Sequence, residues 1–337
     1  MKSGNQAGKR PIPVLSGALS AAAALSFMAG TPAEAVLRDS ILIRAKQVTY
    51  FSNRPLAVRD TGIIRAVIVI HGSGRNVEDY FDSIVDNIPS NPDPSRDWRG
   101  KTIVVAPHFQ DKSDAKDRKR EAWWKDDWVP GGRSGGVSSY EVVDTLVSRL
   151  RNGTFPNLRW VVITGHSAGG QFVQRYAAFT DIDLRPGPNA ALVKFVPSNP
   201  SSYLYLNGYR YDGAVNEWVI PHGHESKGYD RFKYGLKGLD HYAKQRGADW
   251  ARTYLPKRQI ELLAGTADVV ADESFDASKE AMWQGRTRFQ RGQLFAAFMD
   301  HFFSPNHFSI TPVPGVGHDH RQIYASAEAR NALYFPD

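Results

Sequence analysis

One serine lies in a short motif whose residue types favour nucleophilic chemistry. Residues 165–169 read GHSAG; a strand-like run rich in β-branched residues (160–164, WVVIT) precedes them, and a helical pattern begins at Ala168. This context predicts a nucleophile elbow, a tight turn that holds the Ser167 hydroxyl at the end of a strand. The adjacent helix N-terminus would favour a developing oxyanion. The alternative is an ordinary strand–helix turn in which Ser167 has no chemical role.

A serine nucleophile needs a base, and the base needs an acid that orients it. In this arrangement the acid and then the histidine follow later strands of the sheet. Asp268 follows the predicted strand Gln259–Ala264, and His318 follows the predicted strand Phe308–Val313 through a loop of small residues. We therefore predict Asp268 as the orienting acid and His318 as the base. The alternatives are Asp272 or Glu273 for the acid, and His320 for the base.

The oxyanion of an acyl-transfer reaction requires backbone N–H donors near the nucleophile. The N–H of Ala168 is the first expected donor, and the second should come from the loop 71–75 (HGSGR), which follows a predicted strand at Ile63–Ile70. Ser73 is the preferred contributor and Gly72 the next. A plain strand-to-helix turn is the alternative, and Arg75 either anchors this loop or contacts a carboxylate.

Two further groups of residues are candidates for substrate binding. Trp123, Trp124 and Trp128 could form an apolar wall, with Trp124 as the representative residue, or could pack the segment onto the core. Asn199 and Tyr203 follow the strand after the elbow, so they should lie at the same sheet edge as Ser167. There they either orient a substrate or form a turn with an ordered tyrosine.

We predict no cofactor and no catalytic metal. Two His-x-His sequences, at residues 222–224 and 318–320, lack the further ligands that a metal site needs, and His318 is better explained as a base. A structural calcium ion on Asp272 and Glu273 is an alternative. The chain has no cysteine, which excludes disulfides and thiolate ligands.

The elements that must position these residues alternate between strand and helix. Such alternation predicts an α/β fold with a mostly parallel central sheet, and Ile41–Phe51 adds antiparallel strands at the start. The capping-box pattern of Ser138 and Glu141 predicts a helix start there. The remaining predicted strands are Thr102–Pro107, Leu158–Thr164 and Ala191–Val196, and the predicted helices are Asn76–Ile88, Ser138–Arg151, Ala168–Phe179, Ser278–Phe302 and Arg321–Leu333.

The chain reads as one domain, residues 36–337, with two inserted segments. Residues 108–136 are rich in tryptophan and glycine, and residues 199–256 contain many tyrosines. Both are long for simple connections, which is typical of segments that border a functional site.

The first 35 residues have the pattern of an export signal. A basic start with Lys2, Lys9 and Arg10 precedes an apolar stretch from Val14 to Met28, and a small-residue sequence ends near Ala35. We therefore expect cleavage near Ala35 and a secreted or periplasmic protein. An uncleaved N-terminal anchor is the alternative.

The charge of the chain limits the class of partner. Its 42 basic and 35 acidic residues give a net charge of +7, and loss of residues 1–35 leaves about +5. A modestly basic surface suits an acidic substrate or ordinary solubility. The sequence contains no basic cluster interleaved with aromatic residues, so we expect no binding to nucleic acid. We also expect no membrane association after signal cleavage. The sequence leaves the oligomeric state open.

The motifs together resemble the α/β-hydrolase superfamily. The order of HGSGR, GHSAGG, GTAD and GVGHDH is similar to secreted esterases and polyester depolymerases, across roughly residues 60–335. The resemblance implies a secreted serine hydrolase that cleaves carboxylic esters of small or polymeric substrates through an acyl-enzyme. An amidase acting on an acidic polymer such as poly(aspartic acid) is the alternative, and a non-catalytic binding protein on the same scaffold is a remote one. The sequence of the inserted segments does not assign them to a particular cap, so the resemblance does not specify the substrate.

Overall fold

The computed structural model describes Met1 and residues 36–93, 95–189 and 191–335. The predicted export signal, apart from Met1, lies outside these residues, as does its cleavage position at Ala35. From Val36 onward the described residues form one compact unit. Within them, no helix combines the length and the apolar character needed to cross a bilayer.

The large sheet of the described residues has eight strands in the order β1-β2-β4-β3-β7-β8-β11-β12. The first three are antiparallel neighbours and the rest are parallel, as the sequence predicts. Two short hairpins, β5–β6 and β9–β10, lie outside it. The strands are β1 (Leu37–Ile43), β2 (Lys46–Ser52), β3 (Arg65–Ile70), β4 (Thr102–Pro107), β5 (Arg133–Ser134), β6 (Val137–Ser138), β7 (Trp160–His166), β8 (Leu192–Ser198), β9 (Arg210–Asp212), β10 (Glu217–Val219), β11 (Ile260–Gly265) and β12 (Phe308–Val313).

Helices cover both faces of this sheet. The second inserted segment supplies α4 and α5, α2 follows the β5–β6 hairpin, and the other helices follow strands of the large sheet or one another. The helices of the described residues are α1 (Val77–Val85), α2 (Ser139–Leu150), α3 (Ala168–Phe179), α4 (His241–Arg246), α5 (Ala248–Tyr254), α6 (Lys279–Met282), α7 (Arg288–Phe302), α8 (His320–Ala325) and α9 (Ala327–Tyr334).

The continuous apolar runs of the central strands divide between two cores. Successive strand residues point to opposite faces, so Val67 and Val69 of β3 pack against α1, α8 and α9. Ile68 and Ile70 of the same strand pack with α2, α3 and α7 on the other face. A sheet covered on both faces needs apolar side chains at every position, which explains why these strands do not alternate with polar residues.

Two predicted helices are each divided in the structure. The predicted helix Ser278–Phe302 is α6 and α7, because the Thr287 hydroxyl caps a new helix by accepting the N–H of Gln290. The predicted helix Arg321–Leu333 is α8 and α9, because Ser326 caps α9 in the same way. Hydroxyl side chains at these positions offer the backbone a new helix start, and helical periodicity alone does not reveal it.

Helix α2 begins where the sequence predicts, but its capping box is incomplete. The Ser138 hydroxyl accepts the N–H of Tyr140 at 3.2 Å. Glu141 does not return a bond to the cap; instead it accepts a hydrogen bond from the Arg44 guanidinium at 2.9 Å. A charged partner from the β1–β2 turn thus replaces the local contact.

Candidate active site

The turn between β7 and α3 carries Ser167 in a strained backbone conformation. Its φ of 59° lies in the left-handed region, which is costly for a residue with a Cβ atom. The flanking glycines make the tight turn feasible. A Cβ atom at Gly165 would lie 2.6 Å from the carbonyl carbon of Gly169, and one at Gly169 would collide with the carbonyl oxygen of Ile70. The sequence 165–169 therefore folds into a sharp elbow that presents the Ser167 side chain.

Three side chains that are distant in sequence form one hydrogen-bonded chain. The Ser167 Oγ lies 2.9 Å from the His318 Nε2, across 151 residues of sequence. The His318 Nδ1 lies 2.8 Å from the Asp268 Oδ2. Asp268 is 2% exposed and Ser167 is 7% exposed, whereas the His318 side chain is 15% exposed. An ionised Asp268 can only accept a hydrogen bond, so it favours the tautomer in which Nε2 accepts the serine proton.

Parallel pairing of β11 and β12 brings the acid and the histidine to the same edge of the sheet. Beyond the strand ends, the two loops are joined by backbone hydrogen bonds. The Thr266 N–H donates to the Val313 carbonyl at 3.0 Å, and the Ala267 N–H donates to the Val316 carbonyl at 2.9 Å. These bonds fix the spacing between the loops that carry Asp268 and His318.

Asn199 connects the same two loops through its side chain. Its Oδ1 accepts the N–H of Gly265 at 2.8 Å, and its Nδ2 donates to the carbonyl of Gly317 at 3.1 Å. The residue is 3% exposed and has a φ of 43°. Asn199 thus lies at the predicted edge of the sheet, where its amide is bound to the protein backbone.

The alternative acid and base residues make other contacts. Asp272 pairs with the buried Arg288 guanidinium at 2.8 Å, and this hydrogen bond holds the pKa of the Asp272 carboxyl far below its usual range. Glu273 is exposed. The His320 ring stacks on Tyr80 with centroids 4.1 Å apart, and burial lowers its pKa. In the structure, the acid bonded to His318 is Asp268.

The predicted oxyanion donors lie on the elbow and on the loop after β3. Ala168 is the first residue of α3, so its N–H has no acceptor within the helix. The Gly72 carbonyl accepts the His71 Nδ1–H at 2.8 Å and the Arg75 N–H at 3.1 Å. Because a trans peptide points its C=O and N–H in opposite directions, the Ser73 N–H faces away from these two donors.

The backbone of Gly72 lies against the hydroxyl of the buried Tyr80. A Cβ atom at Gly72 would collide with that oxygen. The loop therefore requires glycine at this position, and Tyr80 of α1 is the residue that packs against it.

Arg75 anchors the loop to the first inserted segment. Its guanidinium donates to the carbonyls of Phe109 at 2.6 Å, Trp124 at 3.1 Å and Lys125 at 3.0 Å. The structure shows both roles considered for Arg75, because the guanidinium also contacts the exposed Asp126 carboxylate at 3.5 Å. The loop after β3 and the first inserted segment are thus fixed to each other.

The other proposed substrate-binding residues are buried in the core. Trp124 is 1% exposed, and its Nε1–H donates to the Gly132 carbonyl at 3.2 Å. Tyr203 is equally buried and stacks on Phe295 of α7 with centroids 4.8 Å apart. In this structure both side chains pack the inserted segments onto the core, and Trp123 is only partly exposed.

Sequence reasoning overlooked three side chains at the site. The first is His166, which is buried with its ring centroid 4.6 Å from that of His318. Burial lowers the pKa of His166 well below its usual value. Neither ring nitrogen of His166 has a hydrogen-bond partner in the described part of the chain. The His71 Nδ1–H donates to the Gly72 carbonyl in the loop after β3, and Arg288 contacts Asp268 at 3.3 Å. His71 and His166 belong to the HGSGR and GHSAG motifs that the sequence analysis identified, whereas no sequence motif includes Arg288.

No metal-binding group emerges from the described residues. Among them, no set of three or more His, Asp or Glu side chains lies close enough to hold an ion.

Comparison with solved structures identifies the fold. The chain is similar to poly(aspartic acid) hydrolase-1 from Sphingomonas sp. KT-1, with a TM-score of 0.60, 20% identity, and coverage of 87% of this chain and 97% of that one. It is also similar to a poly(3-hydroxybutyrate) depolymerase from Bordetella parapertussis, with a TM-score of 0.62, 23% identity, and coverage of 90% and 93%. The chain therefore has the α/β-hydrolase fold. No protein-family model and no curated protein matches the sequence.

Proposed function

We propose that the protein is a serine hydrolase that cleaves carboxylic esters through an acyl-enzyme on Ser167. The observation that carries this proposal is the hydrogen-bonded chain from the Ser167 Oγ through His318 to Asp268, with distances of 2.9 and 2.8 Å. Distances of this length allow direct proton transfer from the hydroxyl to the imidazole.

The proposed reaction has two halves. The His318 Nε2 accepts the Ser167 proton while the Oγ attacks the ester carbonyl, and the N–H groups of Ala168 and Ser73 stabilise the oxyanion. The intermediate collapses to an acyl-serine, and His318 gives its proton to the departing alcohol. Water then attacks the acyl-serine with His318 as base, which releases the acid and restores the hydroxyl. Asp268 keeps the imidazole in the required tautomer throughout.

A polyester is the preferred polymeric substrate, and an acidic polyamide is the second candidate. The depolymerase neighbour supports the first, because its name gives poly(3-hydroxybutyrate) as its substrate. The hydrolase neighbour whose name gives poly(aspartic acid), together with the net charge of about +5 that remains without residues 1–35, supports the second. We also propose export from the cytoplasm with cleavage near Ala35, which mass spectrometry of the mature N-terminus would test.

The test combines covalent labelling with turnover. A fluorophosphonate probe should label wild-type protein at Ser167 and leave Ser167→Ala unlabelled, and the variant should lose hydrolysis of p-nitrophenyl esters. Turnover that survives in Ser167→Ala would refute the proposal, and a wild-type protein that neither labels nor turns over would favour a binding function. Release of acid from oligomers of 3-hydroxybutyrate and of aspartic acid, measured side by side, distinguishes the two substrate classes.

A further inference from the structure

Arg288, the first residue of α7, places a fully buried guanidinium beside the proposed acid. Its side chain has no exposed surface. Its Nε donates to the Ser201 Oγ at 2.7 Å, and its two terminal nitrogens reach Asp268 at 3.3 Å, Asp272 at 3.1 and 2.8 Å, and the Ser274 Oγ at 2.8 Å. All three guanidinium nitrogens therefore have acceptors, in the planar geometry that arginine imposes.

The two oxygens of Asp268 are divided between different partners. Oδ2 accepts from His318 at 2.8 Å, and Oδ1 accepts from Arg288 at 3.3 Å. A carboxylate held at both oxygens cannot rotate about its last side-chain bond without losing one of these bonds. The orientation of the imidazole therefore depends on a residue that does not touch it.

We propose that Arg288 is a positioning residue for the reaction: it fixes the plane of the Asp268 carboxylate, and through it the orientation of the His318 imidazole. The inference rests on the proposed function, because it assigns His318 as the base. Arg288 acts through Asp268 and contacts neither Ser167 nor His318 in the hydrogen bonds of the described residues.

Arg291 provides a matched control on the same helix. It is also fully buried, and its guanidinium donates to the carbonyls of Ser201, Gly285 and Asp276. In the described residues its bonds go to the backbone and to a methionine sulfur, and none goes to Asp268. Loss of Arg291 should therefore cost stability in a similar way without disturbing the acid.

The experiment compares Arg288→Gln, Arg288→Lys and Arg291→Gln. The kcat is expressed per site titrated with a fluorophosphonate, so that unfolded protein does not count. We expect kcat to fall about tenfold or more in both Arg288 variants, because the fork that orients Asp268 is lost. The proton resonance of the His318 Nδ1–H, which donates to Asp268 at 2.8 Å, should shift or broaden in both Arg288 variants. Arg291→Gln should keep the wild-type kcat per site and the wild-type resonance.

A purely structural role would give a different result. If the Arg288 variants retained the wild-type kcat per site and the wild-type His318 resonance, as expected for Arg291→Gln, the positioning role would be wrong. If Arg288→Gln failed to fold, Arg288→Lys would decide the matter through its kcat per site. Proton NMR of the His318 Nδ1–H needs no turnover. An unchanged resonance in the Arg288 variants would therefore overturn the positioning role even if the proposed function itself failed.

Discussion

Replacement of Asn199 by alanine should weaken both the fold and the proposed site. The side chain bridges the Gly265 N–H, at 2.8 Å, and the Gly317 carbonyl, at 3.1 Å, and so links the loops that carry Asp268 and His318. Alanine removes both bonds. Because the Gly265 N–H is buried, no water replaces its acceptor without a rearrangement.

The structure gives the size of the expected loss. An unpaired buried N–H costs about 2 kcal/mol, and the half-buried Gly317 carbonyl adds about 0.5 kcal/mol because water reaches it more easily. The φ of Asn199 is 43°, a left-handed conformation that costs alanine about 1 kcal/mol more than asparagine. The free energy of unfolding should therefore fall by about 3 kcal/mol or slightly more in Asn199→Ala.

Asn199→Gly separates the two causes. Glycine lacks the hydrogen bonds but adopts positive φ without strain, so we expect it to recover about 1 kcal/mol in the native state relative to alanine. Urea unfolding followed by tryptophan fluorescence measures both variants by linear extrapolation. Hydrolysis of a p-nitrophenyl ester should fall about tenfold in kcat in both, because only the backbone bonds of Thr266 and Ala267 then join the loop of Asp268 to the loop of His318.

Two results would refute this reasoning. A free energy of unfolding within 0.5 kcal/mol of wild type in Asn199→Ala, on the order of a neutral surface substitution, would show that the bridge contributes nothing. A normal kcat in a destabilised variant would show that the bridge stabilises the fold without positioning the two loops.

Two other buried groups allow further predictions. Asp144→Ala should lower the free energy of unfolding by about 3 kcal/mol. The reason is that the Asp144 carboxylate accepts hydrogen bonds from three hydroxyls, including that of Tyr242 in the second inserted segment. A loss below about 1 kcal/mol in urea unfolding would contradict this. Burial lowers the pKa of His71 to about 3, and its Nε2 accepts the N–H of Phe109 at 3.1 Å. The unfolded state therefore binds the extra proton below about pH 6.5, and stability should fall as pH drops from there toward 3, by about 2 kcal/mol at pH 5 from His71 alone. The unfolding free energy of His71→Gln should change less between pH 7.5 and 5 than that of wild type, and equal changes would count against the assignment.

The sequence predicted the sheet well because its signal is local. Each central strand is a short apolar run, and burial of both faces makes that pattern unmistakable. The sequence predicted the boundaries of two helices less accurately than it predicted the strands. Thr287 and Ser326 start new helices inside what periodicity treats as one helix, since a hydroxyl cap leaves the apolar spacing unchanged.

The candidate site was only partly accessible to sequence reasoning. The types and order of Ser167, Asp268 and His318 were readable because each follows a strand and parallel strands share an edge. The placement of Trp124 and Tyr203 in the core was not readable, because aromatic side chains suit a substrate wall and a packed interior equally well.

The sequence by itself determined the chemistry that is available: a serine on a glycine-flanked turn, with an acid and a histidine after later strands. Only the tertiary structure decided which groups hold that chemistry in place. The Asn199 side chain bridges two loops, and Arg288, 20 residues further along the sequence, donates a hydrogen bond to Asp268. Such contacts form only when segments that are distant in sequence come together in the fold. Residue type and local spacing therefore do not predict which side chains will be in contact.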